Sequence, residues 1–138
     1  MQGSDACKVL QRICTANIDI DPDQTRYTHW LNPRGCIEAD LTVTRLLEDK
    51  YFVVSGPAVT VRDLDWLNQN IADADQCNYT DVTSAWAVFG VMGPGSRSFL
   101  EQVTGKDLSN RTFPHRSSQL VEIGSVVARA IRMSYAGE

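Results

Sequence analysis

One segment constrains the fold more than any other. From Ile37 to Thr44 apolar and polar residues alternate without a break. Ile37, Ala39, Leu41 and Val43 fall on one side; Glu38, Asp40, Thr42 and Thr44 fall on the other. A period of two marks a β-strand with one face packed and the other toward water. Such a strand needs paired neighbours and an apolar layer beneath it, which excludes a helical bundle. Its polar side sets two carboxylates and two hydroxyls in one row. On pattern alone, such a row is the wet side of an antiparallel sheet.

The rest of the chain supplies the layer. Residues 4–14 read as a short helix, with Cys7, Val9, Leu10 and Cys14 at helical spacing. Residues 17–24 form an acidic loop broken by Pro22, and 27–31 a brief strand ahead of the turn at Asn32, Pro33, Arg34 and Gly35. Residues 51–55 are the returning strand after a hairpin at 46–50. A helix over 59–72 follows, with Leu64, Leu67 and Ile71 as its buried stripe and Thr60 and Asp63 spaced like a capping box. Strands are expected over 78–82 and 85–92. Gly93 and Pro94 then open a second helix with Phe99, Leu100 and Val103 inward, ending near Gly105. Two more strands cover 118–123 and 126–135. The Gly-Pro step recurs before each of the later helices, at Gly56 and Gly93. The expected class is α+β: a split β-α-β section with two helices on one face of an antiparallel sheet over 51–138, after an N-terminal helix and an incomplete antiparallel sheet over 1–50.

Composition narrows the functions. At 138 residues with 43% hydrophobic side chains, the chain can bury a core without disulfides. A net charge of −4 argues against nucleic acid as a partner. No run approaches the ~18 apolar residues of a membrane span, and residues 1–7 lack the basic start of a signal peptide. Cys7, Cys14, Cys36 and Cys77 are far apart, with only His29 and His115 to join them. That spacing does not suit a structural metal, so reduced thiols are expected. The glycines at 90, 93 and 95 match neither a P-loop nor a dinucleotide fingerprint, and no nucleophile elbow surrounds a serine.

Three stretches go further. The first holds Tyr27, Thr28, Leu31, Asn32, Gly35, Glu38, Asp40, Leu41, Thr42 and Val43. The second joins Asp81–Ser84 to Gly93, Pro94, Ser96 and Arg97. The third runs from Asp107, Leu108, Ser109 and Asn110 through Phe113 and Pro114 to Arg129, Ser134, Tyr135, Gly137 and Glu138. In this order they resemble the folate-binding domain of the glycine-cleavage T-protein family, in its branch fused to sarcosine and dimethylglycine dehydrogenases.

The resemblance implies a site. Asp40, Leu41, Thr42, Tyr135, Ser55 and Gly56 would bind tetrahydrofolate, with Tyr135 sharing a concave surface with Asp40. Asp40 would be the catalytic residue, either orienting the folate or taking the proton lost as tetrahydrofolate captures a one-carbon unit. A carboxylate suits adjacent N–H donors on a pterin edge, because it accepts two of them as a charge-assisted pair. The parent would be a flavin-dependent enzyme with N-methylated glycine as substrate and FAD held in another part of its chain. This chain then reads as a fragment, inactive by itself. Its compartment would be the mitochondrial matrix in a eukaryote and the cytoplasm in a bacterium. Two departures from the pattern stand out: Ala39 replaces the first of two aspartates, and Cys36 replaces a second glycine. The resemblance also extends to a non-catalytic regulatory subunit of a mitochondrial phosphatase, which departs from the run Asp40–Val43.

Overall fold

The computed structural model describes residues 1–134. Eight regular elements form in chain order: α1 (Ala6–Ile13), β1 (Thr25–Leu31), β2 (Ile37–Leu47), β3 (Lys50–Ser55), α2 (Thr60–Asn70), α3 (Ser96–Thr104), β4 (Ser117–Ile123) and β5 (Val126–Arg132). All strand pairing is antiparallel, in a sheet ordered β1-β2-β3 and a hairpin β4-β5. The α+β class with antiparallel sheets is therefore as expected.

The chain divides into two compact units, Met1–Thr80 and the part from Asp81 onward. β3 pairs with β2, so the sheet of the first unit runs through Ser55.

In the first unit the alternation on β2 holds from Ala39 to Val43, but Ile37, expected on the packed face, is 62% exposed at the start of the strand. Ala39, Leu41 and Val43 are buried with Trp30 and Tyr51 of the flanking strands, against Ala6, Leu10 and Ile13 of α1 and Leu67 of α2. Trp30, among the largest fully buried side chains, donates its indole N–H to Cys14 Sγ at 3.3 Å. Burial raises the Cys14 thiol to about 11. Gly3, at φ +131°, lets the N-terminal segment pass close to residues 76–77; a Cβ there would lie 2.3 Å from the Gln76 carbonyl oxygen. Asp75 ties the same region together, accepting from the Ala72 amide and from the side chains of Arg12 and Lys8.

Three expectations are corrected. Thr44 does not join the wet row: it is fully buried and shares a 2.7 Å hydroxyl–hydroxyl bond with Thr25, its partner on β1. Thr60 is no cap, because α2 starts at Thr60 itself, after a 3-10 turn over Pro57–Val59, and its hydroxyl donates to the Pro57 carbonyl. Asp63, the expected capping partner, is instead buried beside Leu67 on the inner face of α2. Leu64 and Ile71 are half-buried, so Leu67 is the one fully buried member of that stripe.

The second unit departs further. No strand forms over 78–82 or 85–92; Asn78 makes an isolated bridge to Gln2, and Thr83–Ala85 is a 3-10 turn. Val88, Phe89 and Met92 are more than three-quarters exposed. Strand propensity becomes a strand only where pairing and packing support it, and no ladder receives this run among the described residues. The stripe on α3 shares its fate. Phe99 is 56% and Val103 38% exposed, Leu100 is half-buried, and α3 has no fully buried residue. What holds α3 is local: it ends at Gly105 in the left-handed region, packs against β4, and Glu101 accepts the Leu108 amide at 2.9 Å. The core of this unit is Leu108, Phe113 and Val121.

Candidate functional site

The outer face of the β1-β2-β3 sheet carries the expected carboxylate. Asp40 is exposed on β2 and paired with His29 on β1, while Thr42 is paired with Tyr27. Alternation puts all four side chains on the face opposite the core. The Tyr27 phenol reaches diagonally and donates to Asp40 Oδ2 at 3.2 Å. The rings of Tyr27 and His29 meet edge to face, with centroids 5.0 Å apart. On the other flank Val54 is paired with Thr42, and both are half-buried.

The turn before β2 aims this face. Asn32 accepts from the amides of Arg34 and Cys36 through its side chain and donates to Glu38 Oε1 at 2.7 Å. Gly35 takes φ +78°, the left-handed conformation this turn needs. Cys36 is not among the residues of positive φ, so its replacement of a glycine imposes no backbone strain.

Only part of the expected set converges. Asp40 and Thr42 lie on one face. Leu41 lies on the other, 2% exposed within the core, and Ser55 is its cross-strand partner. Leu41 and Ser55 therefore flank the site through backbone alone, because neighbours along a strand point in opposite directions. Gly56 is exposed and follows directly on Ser55, at the end of β3. Tyr135 lies outside the described residues.

Tyr27 and His29, which lie beside Asp40, were not among the expected site residues. The signal was their own alternation with the buried Thr28 and Trp30, but assigning them to Asp40 needs the β1-β2 register. A bulge between Trp30 and Leu31 shifts that register by one residue, which counting back from the turn does not reveal.

The face is open. A concavity of about 600 Å³ lies near Gln2, Lys50 and Asp75, and one of about 430 Å³ near Asp19, Arg26 and Arg45; Asp40 lines neither. Arg45 is structural, its guanidinium donating to Asp19 Oδ1 and to the carbonyls of Ile20 and Glu48. Among the described residues no three His, Cys, Asp or Glu side chains converge as metal ligands, and no helix is long and apolar enough to cross a membrane.

The fold is of the α+β class, an antiparallel sheet backed by helices, with carboxylates on the open face of its central strand after a tight turn. Comparison makes the class specific: the GCVT N-terminal domain profile matches residues 1–138, and the chain belongs to that family. It is 38% identical over 99% of its length to 4-methylaminobutanoate oxidase (formaldehyde-forming) of Paenarthrobacter nicotinovorans. To mitochondrial sarcosine dehydrogenase of Mus musculus it is 34% identical, again over 99% of its length. The chain spans 16% of the length of each of these relatives. Among solved structures it resembles the glycine cleavage system aminomethyltransferase T of Bartonella henselae, with a TM-score of 0.52 and 27% identity over 56% of this chain and 21% of that one.

Proposed function

We propose that this chain is the reduced-folate-binding part of an enzyme that oxidises an N-methylated amine and passes the one-carbon unit to tetrahydrofolate. One observation carries the reading: an exposed carboxylate, Asp40, held by Tyr27 on the open face of the sheet. The names of the relatives supply the chemistry, since sarcosine dehydrogenase and a formaldehyde-forming methylamino acid oxidase both act on N-methyl groups.

Folate fits the residues present. An ionised carboxylate offers about four acceptor positions. Two of them suffice for adjacent N–H donors on a pterin edge, a pairing stronger than a neutral hydrogen bond. Thr42 adds a hydroxyl on the same face, and the Tyr27 ring, 39% exposed, offers a flat apolar edge. Leu41 and Ser55 contribute backbone, Gly56 lets the ligand approach the end of β3, and Tyr135 completes the set the resemblance implies. Asp40 acts by orientation: holding the pterin fixes the direction from which its nitrogen meets the one-carbon unit. FAD does not fit the described residues. Gly93 and Gly95 precede a nine-residue helix, and Pro94 between them has no amide to give a phosphate. The flavin therefore belongs to another part of the parent chain. The substrate class is an N-methylated glycine or a close analogue, in the mitochondrial matrix of a eukaryote or the cytoplasm of a bacterium.

Calorimetric titration with 5-formyltetrahydrofolate, a stable reduced folate, tests the reading. Asp40→Ala is expected to weaken binding by about 1.5–3 kcal/mol, the scale of hydrogen bonds to a charged group. Unchanged affinity removes Asp40 from the site.

A further inference from the structure

We infer that Tyr27 is a positioning residue for Asp40, and that the pair, rather than the carboxylate alone, presents the acceptor edge to the ligand. The inference rests on the folate reading for its ligand, while its geometry stands on β1 and β2 alone.

An exposed aspartate on a strand ordinarily samples several rotamers, and a ligand must pay to select one. Here one oxygen is engaged in advance. The Tyr27 phenol donates to Asp40 Oδ2 at 3.2 Å, from the strand position diagonal to it. Tyr27 is held in turn by the imidazole of His29, which meets its ring at 78° and sits directly across from Asp40. The backbone of His29 is anchored as well, its amide donating to Thr15 Oγ1 at 3.2 Å. The neighbouring carboxylate on β2, Glu38, is engaged by Asn32 at 2.7 Å.

The arithmetic of lone pairs leaves room for a ligand. Tyr27 uses one of about four acceptor positions, leaving both of those on Oδ1 and one on Oδ2. Two adjacent N–H donors can then bind side by side across the two oxygens. The phenol is thus compatible with a bidentate partner, and it fixes the plane in which that partner must lie. A single-donor ligand would gain little from such fixing, so the pair selects for planar, paired N–H donors.

The test separates this inference from the folate reading. Three-bond couplings to Asp40 Cγ, measured by NMR on the labelled full chain without ligand, should show one dominant rotamer in the wild type and averaging in Tyr27→Phe. In titrations with 5-formyltetrahydrofolate, Tyr27→Phe should weaken binding about five-fold, one hydrogen bond's worth. In the Asp40→Ala background, which has no side-chain acceptor for the phenol, the same change should cost less than about two-fold, because the coupling disappears. A structural role for Tyr27 would give equal losses in both backgrounds, and that result overturns the inference. Averaged Asp40 couplings in the wild type overturn it too. A locked Asp40 whose removal leaves folate affinity unchanged would instead defeat the folate reading and leave the positioning intact. Tyr27→Leu, which removes the ring as well, should lose at least as much as Tyr27→Phe; equal binding by wild type and both variants would also overturn the inference.

Discussion

Asp75 shows how a single side chain can hold a fold together without approaching its chemistry. The Ala72 amide, Arg12 and Lys8 all donate to its carboxylate, and together they draw its pKa down to about 2. A carboxyl in an unfolded chain titrates near ~3.9. Because the folded value is the lower one, the stabilisation is complete above that range and is lost as pH falls from about 4 toward 2. Urea denaturation across that interval should show the wild type losing stability with acid while Asp75→Asn stays comparatively flat; parallel curves would mean that Asp75 contributes nothing through its charge. At the proposed site, residue identity was partly legible in the sequence. Asp40 and Thr42 stood out because alternation separates a polar row from a packed one, and both lie on the predicted face. Leu41 was carried in by its place in a motif, yet motif neighbours on a strand face opposite ways, and it lies in the core. Tyr27 and His29 were invisible as partners of Asp40 because register is a relation between two strands.

Elements differ in how far their own sequence decides them. The stripe on α2 found its core: Leu67 is 7% exposed and packs with Trp30, Leu41 and Tyr51. The stripe on α3 reads equally well but remains in solvent, with Phe99 56% exposed. An amphipathic pattern states which face of a helix can be buried; a second apolar surface must exist to bury it. Residues 85–92 failed as a strand for the matching reason, since their apolar β-branched and aromatic run has no ladder to join among the described residues. The contrast is measurable. Leu67→Ala should cost about 2–3 kcal/mol in chemical denaturation, whereas Phe99→Ala should change stability by less than about 0.5 kcal/mol. A large loss at Phe99 would show that α3 is packed in solution.

Across the whole molecule, the two units are unequal in how they are built. The first has a three-stranded sheet with helices laid on one face, and the second a hairpin and one helix around three buried apolar side chains. Two-stranded pairings are marginal in water, so opening should concentrate in the second unit. Hydrogen exchange is expected to protect the amides of β2 longest and to exchange those of 87–92 within the fastest class; the reverse order would refute this division. The proposed function uses the face of the first unit opposite the helices, where Asp40 and Tyr27 are exposed beside half-buried Thr42 and His29. Chemical-shift mapping of the full chain during addition of 5-formyltetrahydrofolate tests that claim most directly. The account predicts that the largest shifts fall on Tyr27, His29, Asp40, Thr42 and Gly56, with little change at the core residues of α1. Shifts confined to the concavity around Gln2, Lys50 and Asp75, or no shifts at all, would contradict it.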